Sequence, residues 1–363
     1  MEVMMSILKV LKKKNKNTGK KPLSLRKQEE DAEFVRQRKK EGIGLKSSLI
    51  EYAAMKKGLS VDRISKRVIV VKSDKIERGF SLMNGDYSSR VGSILCTNKE
   101  DSRYLLKQKG LTVTESRLFK DSDFDEAVKY AEKIGYPVVV KPTTLSRGRG
   151  ITPDIKQKES LQKAWTKAVN AYKKKSKNHK ILVEKHFHGE DFRFYVVGDK
   201  LVSATHRKRA SVTGDGKSSI LQLIKRKNNE RQVNPYLVDH LIPEDYTLLE
   251  MLHEQKIDLD FIPKMNQEIT LRKQSNIHAG GDNIDVTDSA HPEFKAIAIK
   301  AIQAIPGLAY GGVDIIAPDI TVKPNEKNHI VSEVEFSPAP LAHFPYLGKK
   351  RNMAGAVIDY YFK

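Results

Sequence analysis

Apolar positions change period along the chain, and the changes predict a mixed succession of helices and strands. Residues from about Gln28 to Lys40 are dense in charge and compatible with a helix. From Ser47 to Met55 apolar side chains recur at helical spacing, with Gly58 as the expected C-cap. Arg67–Val71 reads as a β-branched strand. Tyr104, Leu105 and Leu106 suit a helix that Gly110 ends, Leu111–Phe119 a strand, and Asp121–Lys133 a helix opened by acidic residues. Tyr136–Val140 forms a strand running into Lys141-Pro142, then a Gly/Ser/Arg loop at 143–150. A helix follows at about Glu159–Lys175, and a strand at Lys180–Glu184. Arg193–Val197 and Lys200–Ala204 flank Gly198-Asp199, the signal of a type I′ hairpin. The C-terminal part again mixes strands and helices over Ile269–Arg272, His291–Ile305, Val313–Ala317 and His329–Glu335. This is an α+β order rather than a strict parallel alternation.

The 363 residues allow two or three packed units, and 39% hydrophobic with 31% charged residues is a soluble globular profile. No apolar run approaches the roughly 18 residues of a membrane span, and Met1–Val10 lacks the marks of a secretory signal. A single cysteine, Cys96, cannot close an internal disulfide, so a reducing cytoplasm is expected. The net charge of +21 is partly local. Nine basic residues and no Asp or Glu lie between Lys9 and Lys27, among Asn, Gly, Thr and Pro, which reads as a solvated tail. The aromatics that single-strand binders interleave are absent from it, so no specific nucleic-acid partner is expected.

Chemistry concentrates in three places. In Val138-Val139-Val140-Lys141-Pro142 and the following Ser146-Arg147-Gly148-Arg149-Gly150, a strand delivers a lysine and then a glycine loop. Glycines let backbone N–H groups approach anionic oxygens, and lysine and arginine add fixed positive charge. Neither the Walker spacing nor the dinucleotide fingerprint is present, and a plain surface turn would use the same residues. In the second place, Ile181-Leu182-Val183-Glu184-Lys185 followed by Gly189-Glu190-Asp191-Phe192-Arg193 puts one carboxylate at a strand end and another within reach. That pair suits an adenine edge and ribose hydroxyls, or ordinary ion pairs with nearby lysines. In the third, Asp314 lies in an apolar strand, and Glu333 and Glu335, at i and i+2, share a face of another. Three such carboxylates suit a hard cation such as Mg²⁺, or else pairing with arginines. Arg193, Arg207 and Arg272 are candidates for phosphoryl oxygens and a substrate carboxylate.

These segments, in this order from about Thr97 to Phe362, resemble the ATP-grasp superfamily, in particular the ATP-grasp portion of bifunctional γ-glutamylcysteine synthetase–glutathione synthetase enzymes and of cyanophycin synthetase. Ser211–Lys217, Gly280–Asp288 and Phe336–Pro340 are the most specific stretches. The resemblance implies two α/β subdomains gripping ATP, with residues 1–45 a partly disordered basic tail and charged helix and 46–96 a short pre-grasp region. Residues 97–207 would be the small subdomain with the glycine loop, and 208–363 the C-terminal subdomain with the Mg²⁺ site. It implies ATP contacts from Lys99, Lys141, Ser146, Arg147, Gly148, Gly150, Glu184, Lys185 and Asp191. Arg193, Arg207 and Arg272 would serve the transferring phosphoryl group and substrate. Asp314, Glu333 and Glu335 would hold Mg²⁺, with Mn²⁺ as the alternative. The implied reaction activates a carboxylate as an acyl phosphate and couples it to an amine, both small molecules such as amino acids or short peptides; a homo-oligomer is compatible with it. Asn98, Gln274, His278 and Glu335 depart from the family pattern, which keeps a catalytically altered ATP-binding regulator as the alternative. Cys96 has no catalytic role in this chemistry.

Overall fold

The computed structural model describes residues 29–143, 145, 149–172 and 180–363. The basic tail and the loop residues Ser146, Arg147 and Gly148 lie outside the described residues. Among those described, no helix is long and apolar enough to cross a membrane.

The charged stretch near the N-terminus forms helix α1 (Glu30–Lys40), which is more than a solvated face: Ala32 and Val35, three apart, are buried against α2 (Leu45–Lys56). Gly58 takes φ +77° just beyond α2, the left-handed conformation that ends a helix without Cβ strain. An antiparallel meander follows, β1 (Ser60–Arg63), β2 (Val68–Lys72), β3 (Glu77–Ser81) and β4 (Asn84–Gly85). In β2 only Ile69 and Val71 are buried, so the β-branched run is a half-buried strand of period two. Helices α3 (Arg90–Thr97) and α4 (Lys99–Gln108) lead onward, and Gly110 closes the latter with φ +68°.

The next unit is a four-stranded antiparallel sheet of order β5-β8-β6-β7, with β5 (Ser116–Lys120), β6 (Val138–Pro142), β7 (Thr152–Ile155) and β8 (Lys180–Lys185). Helices α5 (Phe124–Ile134) and α6 (Lys158–Asn170) cover one face, where Val138, Val140, Ile181 and Val183 pack with Trp165. Period-two alternation therefore turns Lys141 and Glu184 to the opposite face. The strand expected at 111–119 starts only at Ser116.

A five-stranded antiparallel sheet, order β13-β10-β9-β14-β15, forms the body: β9 (Glu190–Val197), β10 (Lys200–Lys208), β13 (Asp282–Asp285), β14 (Tyr310–Ala317) and β15 (Ile330–Glu335). Phe192, Phe194, Val313 and Val334 point toward α9 (Pro292–Gln303), so Asp191, Arg193, Asp314, Glu333 and Glu335 share the other face. Two expectations need correction. Only Gly198 has positive φ in the β9–β10 turn, whereas a type I′ turn needs positive φ at Asp199 as well. A boundary at 207 would also part β9 and β10 from β13, β14 and β15 of the same sheet; the sheets divide between Lys185 and Glu190.

Between β10 and β13 lies a satellite of β11 (Ser211–Thr213), β12 (Glu268–Thr270), α7 (Ile220–Gln232) and α8 (Tyr246–Glu254), with its own apolar cluster. The terminal α10 (Met353–Tyr361) returns to pack on α2 and the first meander, in a cluster that also takes Tyr195 and Tyr310.

Candidate active site

The polar face of the large sheet collects charge because neighbouring strands register charged residues side by side. Asp314 is the direct partner of Arg193 on one side and of Glu333 on the other. Arg193 donates Nε and Nη2 to the two Asp314 oxygens at 2.7 and 2.8 Å, a bidentate fork. Arg207 spans Asp191 at 2.6 Å and Asp314 at 2.9 Å, and the Ser275 hydroxyl donates to Asp191 at 2.7 Å. Glu335 lies opposite Gly312, where a side chain would collide with Pro338, and Arg193 also pairs with it. Lys99, at the start of α4, reaches Glu333 at 2.8 Å; the Asn98 side chain before it caps that helix by accepting from the Glu100 N–H.

Burial would lower the Arg193 pKa, but Asp314 and Glu335 outweigh it and hold the guanidinium charged. Burial likewise opposes ionisation of Asp314, and the two arginines overcome it. Glu335 moves the other way: burial first, then Asp314 and Glu333, raise it despite Arg193.

A second cluster sits on the polar face of the small sheet. Lys141 donates to the buried Glu184 carboxylate at 2.6 Å. Arg103 of α4 binds its other oxygen and also donates to Ser116 at 2.7 Å. Two cations share one anion, so the group carries a net positive charge. Burial lowers Lys141 to about 8 despite Glu184, with Arg103 and Lys99 repelling it further. Glu184, between two cations, is held at about 2 although burial opposes this. Gly150, at φ +74°, closes the glycine loop where a Cβ would strike Ala171 and Pro142.

Two other sequence candidates point elsewhere. Lys185 donates to the Gly135 and Tyr136 carbonyls at 2.9 and 3.0 Å. Arg272 is held by the Leu271 and Pro243 carbonyls and by Asp245 at 2.7 Å, so its fork braces the satellite. Conversely, Lys46 of α2 was not anticipated. It is largely buried, donates to the Ser337 carbonyl at 2.6 Å and lies near Glu335; burial, against Glu335, lowers it to about 8. Arg103 and Ser275 were missed as well. Their partners lie 81 and 84 positions away, a pairing no local pattern carries.

These residues fit a nucleotide triphosphate and a divalent cation. The excess positive charge around Lys141 suits phosphate oxygens. Glu335 Oε2 is buried and, although Arg193 pairs with it, has no hydrogen-bond partner among the described residues. Burial, with Asp314 and Glu333 adding to it, raises its pKa, a repulsion that a hard cation would relieve.

Residues 98–204 match the model of the carbamoyl-phosphate synthase L chain ATP-binding domain. The chain is 31% identical over 333 residues to the bifunctional glutathione biosynthesis protein of Clostridium perfringens, covering 89% of this chain and 41% of that one. It is 34% identical over 275 residues to the cyanophycin synthetase of Geminocystis herdmanii, covering 75% of this chain and 31% of that one. The bifunctional glutathione synthetase from Pasteurella multocida superposes with a TM-score of 0.68 at 27% identity, over 88% of this chain and 44% of that one. The chain thus spans less than half the length of these relatives. At 31% identity across 89% of its length to one such relative and 34% across 75% to another, the chain belongs to the ATP-grasp superfamily.

Proposed function

We propose that the chain is an ATP-dependent carboxylate–amine ligase that forms an amide or peptide bond through an acyl phosphate and releases ADP and phosphate. The observation that carries this reading is the Arg193–Asp314–Arg207 network beside the Lys141–Glu184–Arg103 group. Together they offer fixed positive charge to a transferring phosphoryl group, whose transition state needs positioning and charge stabilisation rather than a protein nucleophile. Lys141 and Lys99 would bind phosphates, with Ser146, Arg147, Gly148 and Gly150 covering them. Glu184 would orient Lys141, and Asp191 would accept from ribose hydroxyls in exchange for Ser275. Asp314, Glu333 and Glu335 would hold Mg²⁺ or Mn²⁺, which supplies charge neutralisation at the phosphates. Arg193 and Arg207 would hold the acyl donor's carboxylate, with Arg272 supporting them through the satellite. A cytoplasmic setting goes with this reading, and the buried Cys96 thiol, pushed up to about 12 by burial, stays protonated.

The test is ADP release screened over pairs of amino acids and short peptides, followed by ¹⁸O labelling of the donor carboxylate. One label is expected in the released phosphate. AMP and pyrophosphate as products would overturn the reading. A second reading, an ATP-binding regulator, is favoured by the complete chelation of Asp314 by Arg193; nucleotide binding without ADP release from any pair would select it.

A further inference from the structure

Away from the arginines, the small sheet assembles a donor set that the ligase reading does not use. Val138 of β6 is the register partner of Ile155 on one side and of Lys185 on the other. Residues 154 and 186, each next to one of those partners, therefore meet at the same end of β6. The ligand atoms of Asp154, His186 and His188 all lie within 4.8 Å of one another. His186 Nδ1 stands 3.7 Å from Asp154 Oδ1, and the two imidazoles meet edge to face with centroids 4.5 Å apart. His186 Nδ1 is buried and has no hydrogen-bond partner among the described residues. A buried polar atom without a partner is unfavourable unless something fills its coordination. Asp154 adopts φ +55°, an unusual conformation for a strand residue. Among the described residues its other oxygen is engaged only by the exposed Lys156, at 3.2 Å.

We propose that Asp154, His186 and His188 form a second cation site, for a borderline divalent transition metal such as Zn²⁺. Two imidazoles and one carboxylate are the donors that Zn²⁺ and Co²⁺ take and that Mg²⁺ does not favour. Three protein ligands leave a coordination position open. The ion would join β7, which carries the chain out of the glycine loop, to the segment just after Glu184. It would thereby clamp the root of the loop independently of the carboxylates on the large sheet.

The test uses the full chain without an affinity tag, in the absence of nucleotide. Titration with Co²⁺ is expected to give a visible d–d band saturating at one equivalent, which Zn²⁺ displaces and excess Mg²⁺ leaves intact. The double variant H186A/H188A should lose the band, or bind Zn²⁺ about 100-fold more weakly by calorimetry, and D154N should weaken it as well. Glu333→Gln should leave the band unchanged, which separates this site from the proposed Mg²⁺ ligands. No band, a band that survives H186A/H188A in a folded variant, or a band abolished by Glu333→Gln would each overturn the proposal. None of these outcomes bears on whether the chain releases ADP.

Discussion

Glu333 faces Asp314 on the neighbouring strand and, among the described residues, is bound by Lys99 alone, whereas Asp314 has two arginines. Removing the Glu333 charge should therefore disturb the cation site more than the fold. Glu333→Gln is expected to cut ADP release by about 10²–10³ with a melting temperature close to the parent's; near-normal turnover would remove Glu333 from the metal set. Arg272 makes the opposite case. Its fork closes on two carbonyls and Asp245, so Arg272→Lys, which cannot span all three, should cost about 1–3 kcal/mol of stability, read as a shifted denaturation midpoint. A rise in substrate requirement at unchanged stability would instead return Arg272 to the substrate. The carboxylates were legible because i, i+2 spacing in an apolar strand leaves them one face. Lys46, Arg103 and Ser275 were not, because each finds its partner only after the chain has folded back.

Among the elements, those with a clean period were legible. The helix over 47–55 and the strands around 138, 181, 313 and 330 show it, and each lies where the pattern put it. α7 escaped notice because only Ile220, Leu223 and Ile224 bury apolar surface along thirteen residues rich in Lys, Asn and Arg. β11 has three residues, too short for alternation to register, while β12 overlaps the element expected at Ile269–Arg272 but ends at Thr270. α1 hid its packing behind charge: its buried Ala32 and Val35 are flanked by Glu, Asp and Arg. That contact is open to test. Val35→Asp would bury an unpaired carboxylate against Leu49 and Ile50 and should lower stability by about 2–4 kcal/mol. A variant melting with the parent would show that α1 only rests on the surface.

At the scale of the whole molecule, α1 is pinned to the C-terminal segment by a buried cluster. His343 Nε2 lies 2.9 Å from Asp31 Oδ2, and Lys350 reaches Asp31 at 2.6 Å. Burial lowers His343 below its ordinary 6.5. Burial opposes the Asp31 charge, but His343 and Lys350 bring it to about 2, from 3.8. Both folded values are depressed, so the stability they confer is complete above the unfolded values and is lost on acidification. The melting temperature should fall first below about pH 6.5, where the unfolded histidine takes up a proton that the buried ring resists. It should fall again between about pH 4 and 2, as the unfolded Asp31 protonates ahead of the folded one. Asp31→Asn should melt lower at pH 7 and converge on the parent near pH 2; a constant gap across that range would contradict the assignment. The same arrangement bears on how the chain is made. The first apolar cluster draws side chains from Ala32 to Phe362, whereas the small sheet draws its own from Phe119 to Val183. During synthesis the small sheet can close as soon as β8 leaves the ribosome, but the first cluster must wait for α10. A nascent chain arrested near residue 340 should therefore protect β5, β6 and β8 from protease while Ile69 and Phe80 remain open to cleavage nearby and to chaperones.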